Sequence, residues 1–275
     1  MLRLKCTFRR VGFYLEYAWR VNLKSHARVL QYQTSFLSFF VNQGFLIRRA
    51  LWKEIRQYAK SAEGKILDFG CGSKPYETAF SACDSYTGLD IGQSGHDHTN
   101  SRIDVLYDGK TLPFSDNTFD KIVCFEVFEH LQDPGASLEE VARVLRFGGE
   151  LFITIPFIYG EHEVPFDFQR WTSFGIANLL QKHNFRIVKM EKLNPNFGVI
   201  AQLCFDEIFL TGKSQRSTFA SIVKIPFITF ANIFIMMSSM IHIRNQNIYS
   251  NLVCIAVLEG SHSSSESSSI RLDIF

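Results

Sequence analysis

The sequence predicts an α/β fold organised around a mostly parallel sheet. Short apolar runs of strand length recur from Lys65 onward, and helical stretches or loops separate them. One run, Ile66-Leu67-Asp68-Phe69, leads straight into glycines at positions 70 and 72, as a strand does when it enters a sharp turn. With 275 residues, 46% hydrophobic and 20% charged, the chain is long and apolar enough to bury a core, which excludes general disorder.

Residues 1–60 hold 12 Lys and Arg against only Glu16 and Glu54, interleaved with Phe13, Tyr14, Leu15, Tyr17 and Trp19, then with Phe36 to Val41 and Phe45 to Ile47. That mixture predicts a basic amphipathic helical extension. Phe36 to Val41 is too short to span a bilayer. The core, residues 61–195, carries strands at Lys65–Phe69, Ser85–Asp90, Phe119–Phe125 and Glu150–Ile155. Before the last of these, Ser137 and Glu140 have the spacing of a capping box. Val141, Val144 and Leu145 give that helix an apolar face, and Gly148-Gly149 ends it. A helix from Ser173 to His183 and a strand from Phe185 to Met190 follow. Residues 196–260 supply an apolar helical insertion and a last strand at Asn251–Leu258, and the Ser-rich stretch 261–275 reads as a flexible tail.

Six cysteines are scattered without a C-x-x-C pair, and no signal peptide opens the chain, so a disulfide scaffold and a thiolate zinc site lack support and a cytoplasmic location is expected. Phe219 to Ile241 contains one charge, Lys224, and Ile225 to Ile243 just reaches bilayer length. Pro226, Asn232, Ser238 and Ser239 interrupt it, and a single crossing would strand the last sheet strand on the far side. The expectation is a helix packed on the domain or lying at the inner face of the membrane, beside basic helices suited to anionic lipid.

At the glycine turn, Gly70 and Gly72 let a ligand sit against exposed backbone N–H groups at the carboxyl edge of the sheet. A dinucleotide site would want a third glycine at position 75, where Pro75 stands, and Asp68 would repel phosphate. A cationic ligand fits better.

Asp68-x-Gly70-x-Gly72 resembles the first motif of class I S-adenosylmethionine-dependent methyltransferases, and later segments agree in order and spacing over about residues 64–192. The resemblance implies a Rossmann-like, doubly wound, mostly parallel seven-stranded sheet with S-adenosyl-L-methionine as cofactor. It implies cofactor contacts from Asp68, Gly70, Cys71 and Gly72, a ribose acceptor at Asp90, an adenine acceptor in Asp108-Gly109, and Glu126 beside the cofactor at the end of the fourth strand. Leu145 to Leu151 resembles the family's Leu-Lys-Pro-Gly-Gly turn, with Arg146 and Phe147 replacing Lys and Pro. Asp120, at the far edge of the sheet, is assigned to structure.

The stretch from His162 to Thr172 resembles one found in methyltransferases among bacterial surface-polysaccharide and glycan-modifying proteins. Arg170 can hold an anionic group, Trp171 can stack on a sugar, and His162, Asp167 or His130 can take a hydroxyl proton. The alternative is an Asp167–Arg170 pair that ties the loop, with Thr172 capping the next helix. His96-Asp97-His98 reads as a solvated loop, and no metal is expected.

The resulting expectation is methyl transfer to a polar acceptor, foremost a sugar hydroxyl in glycan or lipid-linked saccharide biosynthesis. A quinone-like or natural-product acceptor is the first alternative, and a non-catalytic membrane-associated scaffold the second. A nucleic-acid substrate is disfavoured, since no Asn/Asp-Pro-Pro-Tyr motif occurs.

Overall fold

The computed structural model describes residues 31–92, 101–210, 218–241 and 246–260, without the side chains of 208–210 and 218–224. The basic stretch 1–30, the His96–His98 loop and the tail 261–275 lie outside the described residues.

Seven strands form one sheet: β1 Lys65–Phe69, β2 Ser85–Ile91, β3 Val105–Tyr107, β4 Phe119–Phe125, β5 Leu145–Pro156, β6 Phe185–Leu193 and β7 Asn251–Leu258. Their order is β3-β2-β1-β4-β5-β7-β6. β1 to β5 run parallel, and β7 lies antiparallel to both β5 and β6. This is the seven-stranded, Rossmann-like class I methyltransferase sheet that the sequence predicts. Ile66, Leu67, Ile122 and Val123 have no exposed surface, because central parallel strands are covered on both faces.

Among the described residues six helices accompany the sheet: α1 Ser38–Val41, α2 Phe45–Ala59, α3 Pro134–Val144, α4 Ser173–Lys182, α5 Phe197–Leu210 and α6 Thr218–Ser239. On one face, Leu138, Val141 and Val144 of α3 and Ile176 and Leu180 of α4 pack with Leu67, Ile122 and Cys254. On the other, Leu51, Ile55 and Tyr58 of α2 pack with Ile66, Val123, Phe152 and Val253. The α2 part of the N-terminal extension therefore covers one face of the sheet and belongs to the core. α5 and α6 meet through Ala201, Ala231 and Ile235.

Two boundaries correct the sequence reading. α3 begins one turn before the expected capping box: Pro134 stands in its first turn and the Asp133 side chain accepts from Ala136 N at 3.0 Å. Ser137 instead donates to Asp133 O, while Glu140 accepts from Leu112 N at 2.7 Å and binds Arg143. Leu145 belongs to β5, where it pairs with Phe119, so Gly148 and Gly149 lie inside a strand beside a shift in register. Thr172 caps α4 as expected, accepting from Gly175 N at 3.0 Å. Asp120 is structural: it accepts from Lys65 N and pairs with Arg146.

Among the described residues no helix is long and apolar enough to cross a membrane. Asn232 of α6 is fully buried and donates to Phe39 O at 2.7 Å and Asn42 O at 2.9 Å, which satisfies carbonyls at the end of α1.

Candidate active site

β1 ends at Phe69, and the chain turns through Gly70 (φ 74°) and Gly72 (φ 48°). Gly70 N and Cys71 N both donate to Leu89 O, at 2.9 and 3.0 Å, which fixes the turn on β2. A Cβ on Gly70 would stand 2.5 Å from Val127 Cγ2, whereas one on Gly72 would meet nothing within 4 Å. Packing thus demands the first glycine, and the second opens a face to ligand. That face belongs to a cleft of about 660 Å³ at the carboxyl ends of β1 and β4, walled on its far side by the start of α2.

Asp68, Gly70, Cys71, Gly72, Glu126 and His162 all line this cleft. Asp68 is 1% exposed; its Oδ2 accepts from Tyr86 OH at 2.7 Å and its Oδ1 has no hydrogen-bond partner. Burial pushes its carboxyl up to about 7, against the opposing Tyr86 hydrogen bond. Glu126 holds a left-handed backbone (φ 57°), a strained conformation that carries its side chain to the cleft wall. There it accepts from Thr154 Oγ1 at 2.9 Å and Asn251 Nδ2 at 3.0 Å. Burial raises its pKa, and Arg48, Thr154 and Asn251 oppose the rise.

Asp90 sits behind the turn rather than in the cleft lining. Its carboxylate accepts from Gly72 N at 2.7 Å and Ile91 N at 2.8 Å. Asp108 and Gly109 are not brought to the cleft. Asp108 accepts from Lys110 N and Thr111 N at 2.8 and 3.0 Å, closing an exposed turn at Gly109 (φ 80°).

The loop after β5 folds back onto the short helical turn Phe128–His130 that follows β4. Phe168 N and Gln169 N donate to Glu129 O at 2.9 and 3.2 Å, Gln169 Nε2 donates to Leu131 O, and Trp171 Nε1 donates to Phe128 O. Trp171 is therefore packed into the domain, away from the cleft. Arg170 grips both oxygens of Asp167 at 2.5 and 2.7 Å and reaches Gly160 O at 3.2 Å. Of the two sequence readings of this pair, the loop tie is the one realised. Burial acts to raise Asp167, yet Arg170 and His162 N hold it at about 2. Asp167 and His130 stand behind His162, outside the cleft lining. Burial lowers the pKa of His162, so it is neutral at pH 7.

Arg48 is the site residue that sequence reasoning missed. It projects from α2 into the cleft, 5.0 Å above the Tyr32 ring centroid. Burial works against its charge, but Tyr76 and Glu126 hold the guanidinium protonated. Nothing in the sequence separates it from the other basic residues of its stretch.

Comparison with known proteins agrees with this geometry. Residues 67–153 match a family model described as a methyltransferase domain. The O-methyltransferase rstn1 of Aspergillus nomiae is 32% identical over 126 residues, 39% of this chain and 54% of that protein. The ubiquinone biosynthesis O-methyltransferase of Aeromonas salmonicida is 28% identical over 102 residues, 33% of this chain and 42% of that one. The fatty-acid O-methyltransferase of Mycolicibacterium smegmatis is 28% identical over 208 residues, 63% and 74% of the two chains. The chain thus spans about half the length of the first two relatives. Among solved structures, the [4+2]-cyclase SpnF superposes with a TM-score of 0.50 at 18% identity, covering 77% of this chain and 82% of that one, a likeness of fold alone. Residues 67–153 are thus similar to a methyltransferase domain and lie within a seven-stranded sheet of the class I methyltransferase fold.

Proposed function

We propose that this protein transfers the methyl group of S-adenosyl-L-methionine to a hydroxyl oxygen of an acceptor with an apolar body. The observation that carries the reading is the orphaned Asp68 Oδ1, buried at the glycine turn in a cleft that also holds Glu126 and Arg48. A buried unpaired carboxylate calls for a cationic partner. The cofactor is a sulfonium with an ammonium and a carboxylate at its amino-acid end, and the cleft offers groups for both: acids at Asp68 and Glu126, a cation at Arg48. Asp90 and the N–H groups of the turn stand at the neighbouring edge.

When bound, the cofactor supplies a methyl carbon already activated by the sulfonium. The chain has to hold the acceptor in line, keep water out and deal with the hydroxyl proton. His162, neutral and at the cleft wall, is the residue this reading assigns to take up that proton.

The sugar acceptor rests on the resemblance of the His162–Thr172 stretch and on the membrane-leaning segments; within that stretch Arg170 is paired with Asp167 and Trp171 donates to Phe128 O, so neither is free to hold a sugar. The apolar alternative gains support from relatives named for fatty-acid and ubiquinone chemistry. It also gains from exposed apolar side chains: Phe36 of the N-terminal segment and Phe227, Phe230, Met237 and Met240 of the α6 region are 59–80% exposed. That surface suits a peripheral position at a lipid interface, from which an amphiphilic acceptor could enter. Calorimetric titration with S-adenosylmethionine, S-adenosylhomocysteine and NADH tests the cofactor. Labelled methyl transfer to a hydroxylated quinone, a fatty-chain acceptor and a saccharide tests the rest. Binding of NADH, or of none of them in a folded sample, overturns the transferase reading, and methylation of the saccharide alone overturns the apolar acceptor.

A further inference from the structure

We propose that Glu129, His130 and His162 form a binding site for a divalent transition cation of the zinc type at the wall of the cleft. Glu129 and His130 lie on the turn after β4, and His162 lies on the loop after β5; these strands are parallel neighbours, so the three meet. One ligand atom from each lies within 4.8 Å of the others. Glu129 Oε1 is 3.7 Å from His130 Nε2 and 3.9 Å from His162 Nε2.

Both imidazoles turn Nε2 toward the carboxylate. His130 Nδ1 is 2.8 Å from Phe166 O, a pure acceptor, so Nδ1 donates there and Nε2 is the nitrogen that can offer a lone pair to a cation. His162 Nδ1 faces Gly160 O at 3.3 Å and Asp167 Oδ2 at 3.2 Å, again acceptors, which leaves the lone pair on Nε2. Such a backbone carbonyl or carboxylate behind each ring is the arrangement that orients metal-bound histidine. Arg170 in turn fixes Asp167, so the loop tie described above serves as outer support for His162.

The centre of the cluster is a set of buried polar atoms without hydrogen-bond partners. Glu129 has no exposed surface, and neither of its oxygens nor His130 Nε2 has a hydrogen-bond partner. A proton cannot bridge gaps of 3.7 and 3.9 Å, because hydrogen bonds close at about 3.2 Å or less. A cation about 2.0–2.2 Å from each donor spans such gaps, and the widest spacing closes with roughly half an ångström of side-chain rotation. Two imidazoles and one carboxylate suit zinc and its transition-metal neighbours, whereas magnesium and calcium prefer all-oxygen sets. Glu163 Oε1, 3.6 Å from His130 Nε2, borders the same point.

The site deepens the proposed transferase and its catalytic part rests on that reading. His162 and Glu163 line the cleft, so a bound ion would stand where an acceptor hydroxyl can complete its coordination and be acidified by it, in place of direct proton uptake by His162. Binding of the ion does not depend on the transferase.

The test uses the full chain, stripped with a chelator and titrated without cofactor or acceptor. Zinc chloride is followed by calorimetry and cobalt chloride by its visible ligand-field bands. One ion per chain is expected, with at least tenfold weaker binding in Glu129→Gln and His162→Ala and unchanged binding in His183→Ala. Circular dichroism checks folding, and the half-buried His162 keeps the test sound if the Glu129 variant fails to fold. No stoichiometric binding by the folded wild type, or wild-type affinity in His162→Ala, overturns the site. Cofactor titration runs separately: zinc binding without cofactor binding sinks the transferase reading alone, and the reverse sinks the cation site alone.

Discussion

Gly72 N donates to Asp90 Oδ2 at 2.7 Å, so the acid at the end of β2 holds the glycine turn that follows β1. The same carboxylate that should accept from a ribose is already shaping the surface the ribose would meet. Asp90→Ala removes both roles, and a charged hydrogen bond of this kind is worth about 1–3 kcal/mol. Affinity for S-adenosylhomocysteine should fall about tenfold or more. Asp90→Asn keeps an oxygen for Gly72 N but sets its amide NH2 against Ile91 N, so it should lower the melting temperature less than Asp90→Ala while still losing affinity. Equal affinity in the Asn variant would leave Asp90 a purely structural residue.

The two glycines separate by what surrounds them. Gly70→Ala places a Cβ 2.5 Å from Val127 Cγ2 at a left-handed φ, so it should both lower stability, by about 2 kcal/mol or more, and abolish ligand binding. Gly72→Ala meets no atom within 4 Å and carries only the backbone cost of about 1 kcal/mol, yet its methyl projects where ligand would lie. It should fold and bind poorly. Thermal melts beside calorimetry check the pair, and a Gly72→Ala protein with wild-type affinity would remove the turn from the ligand site.

Much of the sheet was legible because its strands carry continuous apolar runs. Lys65–Phe69, Phe119–Phe125 and Asn251–Leu258 stand at their expected bounds. The start of α3 was misread because Ser137 and Glu140 mimic a capping box, while Asp133-Pro134 does the capping. The glycine turn and Asp68 were legible because a strand, an acid and two glycines are contiguous. Arg48 was not, since one arginine in a basic stretch has no local mark. The Glu129, His130 and His162 cluster depends on β4 lying beside β5, a matter of strand order that no local pattern encodes.

The exposed apolar face yields a prediction about membranes. Phe230 and Met237 are 65% and 62% exposed, so replacing both with Ser should leave the melting temperature nearly unchanged. If the face rests in a lipid interface, losing two apolar side chains should weaken liposome partitioning by about tenfold or more. Flotation with anionic vesicles at low salt measures this. A wild-type protein that does not float, or a double variant that floats equally well, would end the interfacial proposal.

Asp68 makes stability depend on pH in an unusual direction for an acid. Its carboxyl is lifted to about 7 in the fold from an ordinary 3.8, so between those values the native state holds a proton that the unfolded chain has lost. Its contribution therefore falls as pH rises from about 4 to about 7, by an amount on the order of 4 kcal/mol across the window. Asp68→Asn should flatten the profile by that amount and leave the ligand-free protein more stable than wild type at pH 8. A cationic ligand favours the carboxylate, so binding at pH 6 should release a proton from wild type and none from the variant. Calorimetry in buffers of different ionisation enthalpy reads that release directly. Matching pH–stability slopes in the two proteins, or equal proton release, would show that Asp68 is ionised in the free fold and that the cleft satisfies it by other means.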